Sequence, residues 1–189
     1  MEENKENGKD IKSNKKNNSG VRGWVKDIAV AVIIAVVVLQ FIKPTVVREH
    51  SMEPTLHSND YLFLSKQAYR FGEIKRGDII VFKSDLELKN GKKKFLIKRV
   101  VGLPNEVITI RDGQVYIDGK FLKEKYLKGA ATPGEVTNLK IPKDCVFAMG
   151  DNRGNSLDSR DPKVGCVETD RILGKAFLRL YPFTGIKTF

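Results

Sequence analysis

The sequence has few of the residues that build cross-linked or metal-bound proteins. Its 189 residues contain only two cysteines, Cys145 and Cys166, and two histidines, His50 and His57. Two cysteines exclude a disulfide-rich scaffold, and no Cys-x-x-Cys pair offers a zinc site. The sequence also lacks a Gly-x-x-x-x-Gly-Lys phosphate loop and a dinucleotide-binding fingerprint. We therefore predict neither a metal nor a cofactor. Whether the two cysteines are bridged stays open, although we expect free thiols.

The chain carries a large positive charge. It has 34 lysines and arginines against 23 aspartates and glutamates, a net charge of +11. Such a chain can associate with an anionic membrane surface or with nucleic acid. The sequence shows neither aromatic stacking platforms nor a recognisable nucleic-acid-binding module. We therefore predict contacts with membrane lipid and no nucleic acid partner.

One long apolar run lies near the N-terminus. Residues 28–39 (IAVAVIIAVVVL) include no polar side chain. Residues 24–42 would form about 28 Å of helix, which just spans a hydrocarbon core of about 30 Å. A buried core helix would carry polar residues on one face. A secretory signal peptide would be followed by a small-x-small cleavage site, which is missing here. We predict a transmembrane helix over residues 24–42.

The residues on either side of this run predict the orientation of the helix. Residues 1–26 contain seven lysines and arginines, which the positive-inside rule places in the cytoplasm. The first 23 residues are too polar to offset the entropy lost on ordering. The predicted organisation is a disordered cytoplasmic tail (1–23), a single-pass transmembrane helix (24–42) and an extracellular domain (43–189).

The extracellular part has the pattern of short strands joined by tight turns. β-Branched and aromatic runs alternate with Asn-Gly and Asp-Gly pairs, which favour β-hairpin turns. The apolar runs are too short for amphipathic helices. We predict a mainly β fold with an antiparallel β-sheet, and an irregular loop over residues 127–140. The predicted strands are residues 77–82, 94–101, 106–110, 114–117 and 145–149.

Three segments contain candidate catalytic residues. The first, VREHSMEPTL, places Ser51 at a strand-to-turn corner, where its N–H can face a bound carbonyl. In the second, FLIKRVVGLP, Lys98 shares a strand face with apolar residues, and desolvation there lowers the pKa of a lysine so that it can act as a base. The third, GDNRGNSLDSR, is a polar loop in which Asp158 and Arg160 can pair. Taken singly, each segment has a non-catalytic interpretation. The first is then a plain turn, the second an edge strand and the third a surface loop.

Together, in this order and after an N-terminal anchor, the three segments resemble the type I signal peptidase family. SMEPT (residues 51–55) is similar to the nucleophile motif of that family, and KRVVG (98–102) is similar to its general-base motif. GDNR and S-x-DSR (within 150–160) are similar to its third motif, and RGDIIVF (76–82) matches the strand between the first two. A single anchor and a small inserted β-hairpin region, over residues 105–140, resemble the Gram-positive form.

The resemblance implies a monomeric endopeptidase that removes signal peptides from secretory pre-proteins after Ala-x-Ala sites. Ser51 would be the nucleophile, with its own N–H as an oxyanion donor, Lys98 the general base, and Ser156 the residue that orients the lysine amine. Two ion pairs would support the site: Arg99 with Asp151, and Asp158 with Arg160. Substrate pockets would be lined by Val47, Met52, Leu56, Leu96 and Ile97.

One position departs from the family. The residue two before the nucleophile is usually Ser or Gly, and the serine form donates a second hydrogen bond to the oxyanion. Here it is Glu49, and an ionised carboxylate cannot donate. The resemblance therefore leaves the second oxyanion donor open.

Other functions fit parts of the sequence. A related Ser-Lys self-cleaving repressor would carry a DNA-binding domain in place of the anchor. A membrane-tethered, non-enzymatic β-domain that binds extracellular ligands would not depend on Ser51. A histidine base is disfavoured, because His50 and Ser51 point to opposite faces of an extended segment and His57 follows the turn at Pro54.

Overall fold

The computed structural model describes residues 19–189, so most of the predicted tail lies outside the described residues. The first element is helix α1, Ser19–Phe41. Within it, Gly23–Phe41 is long and apolar enough to cross a membrane, which fits a membrane-anchored protein. The helix begins ahead of the predicted span 24–42 and ends before Ile42, because Ile42 already belongs to the first strand.

The residues after the helix form twelve strands, most of them antiparallel neighbours in one large sheet. The strands are β1 (Ile42–Val46), β2 (Tyr61–Ser65), β3 (Ile79–Glu87), β4 (Lys93–Gly102), β5 (Val107–Arg111), β6 (Gln114–Ile117), β7 (Lys120–Phe121), β8 (Val136–Lys140), β9 (Cys145–Met149), β10 (Val167–Glu168), β11 (Ile172–Tyr181) and β12 (Lys187–Thr188). The predicted mainly β, antiparallel fold is confirmed.

The large sheet has the order β1-β2-β11-β3-β4-β9-β10, with β12 paired to β11. Strand β11 was not predicted from the sequence, although it is an interior strand of this sheet, between β2 and β3. Its apolar pattern is interrupted by Gly174, Lys175 and Arg179. Gly174 is required because a Cβ there would lie 2.6 Å from the carbonyl oxygen of Ser65 on β2. A glycine inside a strand marks such a close backbone approach.

The second sheet has the order β7-β6-β5-β8 and lies within residues 107–140. Asp112-Gly113 and Asp118-Gly119 form its hairpin turns, and all four residues have positive φ, as a type I′ turn requires. The prediction of an irregular loop over residues 127–140 is wrong at its end, because β8 pairs with β5 there. The status of residues 105–140 as an insertion stays a prediction.

Strands β3 and β4, in the middle of the large sheet, are mostly buried on both faces. Ile79 and Val81 of β3 enter one apolar core, and Ile80 and Phe82 enter another, because successive side chains of a strand point to opposite faces. A third core packs the second sheet against β9. Strand β4 lies beside β3, so a polar side chain in the middle of β4 is removed from water.

Candidate active site

The side chains of Ser51 and Lys98 meet although 47 residues separate them in sequence. The Nζ atom of Lys98 lies 2.6 Å from the Oγ atom of Ser51. Ser51 begins a tight turn in which the Met52 carbonyl accepts hydrogen bonds from the N–H groups of Thr55 and Leu56. Met52 and Leu56 are buried in an apolar core, which fixes the turn. Folding therefore joins the two sequence motifs through the hydrogen bond between Lys98 and Ser51.

The Lys98 amine is in an apolar environment. The residue is 1% exposed, and its partner on β3 is Ile80. Burial lowers the pKa of Lys98 to about 8, against the opposing attraction of the carboxylates of Asp158 and Glu49. Removal from water disfavours the ammonium form. A substantial fraction of Lys98 is therefore the free amine just above neutral pH.

The loop after β9 packs directly on Ser51. The Asn152 N–H donates to the Ser51 carbonyl at 3.0 Å, and the Asn152 side-chain amide donates to the His50 carbonyl at 3.1 Å. A Cβ at Gly150 would collide with the Ser51 carbonyl oxygen and with the Ser156 hydroxyl. Glycine at position 150 therefore allows the loop to approach Ser51 this closely.

Ser156 lies beside this contact. Its hydroxyl is buried and makes no well-formed hydrogen bond within residues 19–189, although it lies close enough to Asp158 to help lower the pKa of that carboxyl. No hydrogen bond in this part of the chain joins it to Lys98, so its lysine-orienting role stays a prediction.

Both sequence-predicted ion pairs are present as two-point contacts. Arg99 donates to Asp151 from Nε at 2.9 Å and from Nη2 at 2.6 Å. Arg160 donates to Asp158 from Nε at 2.9 Å and from Nη2 at 2.8 Å. Burial alone would raise the pKa of Asp158, but Arg160 and the Gly150 N–H outweigh it and lower that pKa. The carboxylate of Asp158 is therefore ionised close to Lys98.

The sequence analysis missed a further buried pair, Glu124 with Arg153. Arg153 Nη1 donates to Glu124 Oε2 at 2.8 Å, and Arg153 Nε donates to the Gly150 carbonyl at 3.1 Å. Tyr126 donates its hydroxyl hydrogen to Glu124, and its ring centroid lies 4.1 Å from the Arg99 guanidinium. Glu124 stands among lysines in the sequence, so its pattern is that of a solvated surface segment.

A groove of about 340 Å³ opens beside Ser51. One wall is formed by residues 45–49, and the other by Lys94, Phe95 and Ile97 of β4. Of the predicted pocket residues, Val47, Met52 and Ile97 line this groove. Leu56 and Leu96 do not line it, and their side chains lie in the apolar cores.

The β4 wall of the groove offers a free strand edge. Strand β4 pairs with β9 only from Arg99 onward. Within the described part of the chain, residues 94–97 therefore keep one edge without a strand partner. An extended peptide can add to such an edge through main-chain hydrogen bonds.

The remaining candidates lie apart from Ser51 and Lys98 or are bound to other groups. His50 is exposed, and its Nδ1 lies 2.7 Å from the carboxylate of Glu53. Glu49 forms an ion pair with Lys94. Cys145 and Cys166 are free thiols. Among residues 19–189, no cluster of three or more His, Cys, Asp or Glu side chains could hold a metal ion.

Comparison with known proteins finds signal peptidases among the relatives of this chain. Signal peptidase I T of Bacillus subtilis (strain 168) is 34% identical, over 99% of this chain and 98% of that protein. Signal peptidase I of Bacillus licheniformis is 36% identical, over 93% of this chain and 96% of that protein. A solved signal peptidase I from Enterococcus faecalis V583 is 31% identical, covers 55% of this chain and 96% of its own, and has a TM-score of 0.45. Residues 21–181 match the family described as signal peptidase, peptidase S26, and the chain belongs to that family.

Proposed function

We propose that this membrane-anchored serine peptidase removes signal peptides from secretory pre-proteins with Ser51 as nucleophile and Lys98 as general base. The observation that carries the proposal is the 2.6 Å contact between Lys98 Nζ and Ser51 Oγ, made by a lysine that is almost fully buried. A nucleophile within hydrogen-bond reach of a base is the arrangement that covalent catalysis needs.

The proposed reaction proceeds through an ester of Ser51. The free amine of Lys98 accepts the hydroxyl proton as Ser51 Oγ attacks the scissile carbonyl. The resulting ammonium gives that proton to the leaving amine as the peptide bond breaks. Lys98, neutral again, then accepts a proton from the water that hydrolyses the ester, and returns it to Ser51.

The Ser51 N–H is the proposed oxyanion donor. This N–H donates no hydrogen bond to a group within residues 19–189, so it is available to a substrate carbonyl. Removal of one such donor lowers the rate by about 10²–10³-fold in enzymes where it has been measured. Glu49, two residues earlier, has a carboxylate that cannot take the role of a second donor while ionised.

The apolar groove and the free edge of β4 support an extended peptide substrate with small side chains. The proposed orientation places the N-terminus in the cytoplasm and the catalytic domain outside, where a signal peptide emerges from the membrane. This orientation rests on the positive charge of the N-terminal segment.

Incubation of the detergent-solubilised, full-length protein with a pre-protein tests the proposal. Wild type should release the mature protein, and Ser51→Ala and Lys98→Met should each abolish release while Ser58→Ala and Lys93→Met do not. Because a dyad acts as a unit, the double variant Ser51→Ala/Lys98→Met should be no slower than either single variant. If Ser51→Ala released the mature protein as fully as wild type, the cleavage would come from a contaminating peptidase. This chain would then be a non-enzymatic domain.

A further inference from the structure

An ion pair crosses the groove beside the nucleophile. The carboxylate of Glu49, two residues before Ser51, contacts the ammonium group of Lys94 on β4. Both residues line the groove that also contains Ser51. The pair therefore links the two walls of the groove, one formed by residues 45–49 and the other by β4.

This ion pair lies in a mainly apolar groove. Apart from the pair and Arg48, most lining residues are apolar, among them Val46, Met52, Val81, Phe95 and Ile97. The Glu49 and Lys94 side chains are about half and one-third exposed. An entering peptide would remove water from both charges, which opposes binding. The pair is thus not explained by apolar contact with a substrate.

The charges around the Lys98 amine suggest what the pair does. Besides the apolar Ile80 on β3, four charged residues act on Lys98. Asp158 and Arg160 come from the loop after β9 and neutralise each other through two hydrogen bonds. The other two are Glu49 and Lys94.

Burial is the main cause of the lowered pKa of Lys98, and the charges modify it. Asp158 and Glu49 act to raise this pKa, whereas Lys94 and Arg160 act to lower it. Glu49 and Lys94 therefore oppose each other at the dyad lysine while they are bound to one another.

We propose that Glu49 and Lys94 are a coupled pair of positioning residues for the dyad, in which each charge offsets the field of the other at the buried Lys98 amine. A carboxylate at position 49 is then tolerated so close to the base because Lys94 neutralises it. The significance for catalysis rests on the proposed role of Lys98 as general base, but the charge balance itself can be measured without activity.

The direct test is a titration of Lys98 by NMR in the full-length, detergent-solubilised protein with ¹³C-labelled lysine. The Lys98 signal is identified by its loss in Lys98→Met. Glu49→Gln should lower the apparent pKa of Lys98 and Lys94→Met should raise it, each by about 0.5 unit, and the double variant should return close to wild type. High salt should shrink both shifts, since half-exposed charges are screened.

The same variants should move the acid limb of kcat/KM for pre-protein cleavage in the same directions. On that limb, a shift of about 0.5 unit changes the rate about threefold, because the rate follows the fraction of free amine. If the pair had a purely structural role, the two single variants would change the free energy of unfolding without shifting the pKa of Lys98 in opposite directions. If Glu49→Gln fails to fold, Glu49→Ala removes the same charge and adds no hydrogen-bond donor beside Ser51.

Glu87 and Lys93 provide the matched control. They form an ion pair of 3.0 Å at the start of β4, are largely exposed and do not line the groove. Glu87→Gln and Lys93→Met should leave the Lys98 titration unchanged. Shifts of the same sign in Glu49→Gln and Lys94→Met, no shift in either, or equal shifts in the controls would overturn the inference. The two single variants could also shift the pKa of Lys98 in opposite directions while Ser51→Ala still cleaves the pre-protein. That result would support this inference and refute the proposed function.

Discussion

Arg153 and Glu124 form an ion pair whose side chains are only 1% and 6% exposed. The pair connects two distant parts of the catalytic domain. Arg153 belongs to the loop that packs on Ser51 and also donates to the Gly150 carbonyl. Glu124 follows β7 of the second sheet and also accepts a hydrogen bond from Tyr126. The second sheet is thereby tied to the loop that packs on Ser51.

Glu124→Ala should strongly destabilise the catalytic domain. The substitution leaves the Arg153 guanidinium buried without its counter-ion, which typically costs about 3–5 kcal/mol. Urea unfolding at neutral pH would measure the change in the free energy of unfolding. Glu87→Ala, which removes the exposed partner of Lys93, should unfold within error of the wild type. A Glu124→Ala protein as stable as wild type would show that the pair is not a structural link.

Cleavage should require the free amine of Lys98. Since burial lowers the pKa of Lys98 to about 8, kcat/KM should rise with pH through about 8 and level off above it. Measurement of pre-protein cleavage between about pH 6 and pH 10 would test this expectation. His50→Ala should keep the same limb, because His50 is exposed and bound to Glu53. A flat profile, or a limb that vanishes in His50→Ala, would contradict a lysine base.

Lys98→Met should make the inactive protein more stable than wild type at neutral pH. Below pH 8 the lysine is protonated in both the folded and the unfolded chain, so the folded state carries the full penalty of a buried ammonium. A pKa lowered from 10.5 to about 8 corresponds to about 3 kcal/mol. As pH rises from 8 towards 10.5 the folded state loses its proton first, and the penalty disappears.

Denaturant unfolding of Lys98→Met and wild type at several pH values would reveal this difference. The advantage of Lys98→Met should be largest below pH 8 and shrink at higher pH. Lys93→Met, at an exposed position of the same strand, should show no such dependence. Equal stability of Lys98→Met and wild type at every pH would mean that burial of the Lys98 ammonium group does not destabilise the folded state.

The groove should select small residues before the cut. Val47 and Met52 are almost fully buried, so their side chains have little room to move away from a bulky substrate residue. We expect Ala, Ser or Gly just before the scissile bond to be accepted, and Phe to reduce kcat/KM by at least about tenfold, as overpacking of a filled site does. Cleavage assays on matched pre-protein variants would measure this ratio. Equal rates for Ala and Phe would refute the small-pocket interpretation.

The local elements of this protein were predictable from sequence where one interaction dominates. The apolar run that forms most of α1, the Asp-Gly hairpins and the strand β9 each have a recognisable pattern among neighbouring residues. Strand β11 was missed because its pairing with β2 and β3, rather than its own pattern, holds it in the sheet. The same applies to β8, whose residues are mostly exposed and are held by β5.

The sequence by itself determined which chemistry-bearing residues are available: Ser51, Lys98 and the polar loop after β9, in an order typical of one peptidase family. Only the tertiary structure decided their environment. It buried Lys98, placed Leu56 and Leu96 in the cores instead of the groove, and paired Glu49 with Lys94. The physical reason is that a motif specifies side-chain types, whereas desolvation, the field at an amine and the shape of a groove depend on residues that are distant in sequence and meet only in the folded chain.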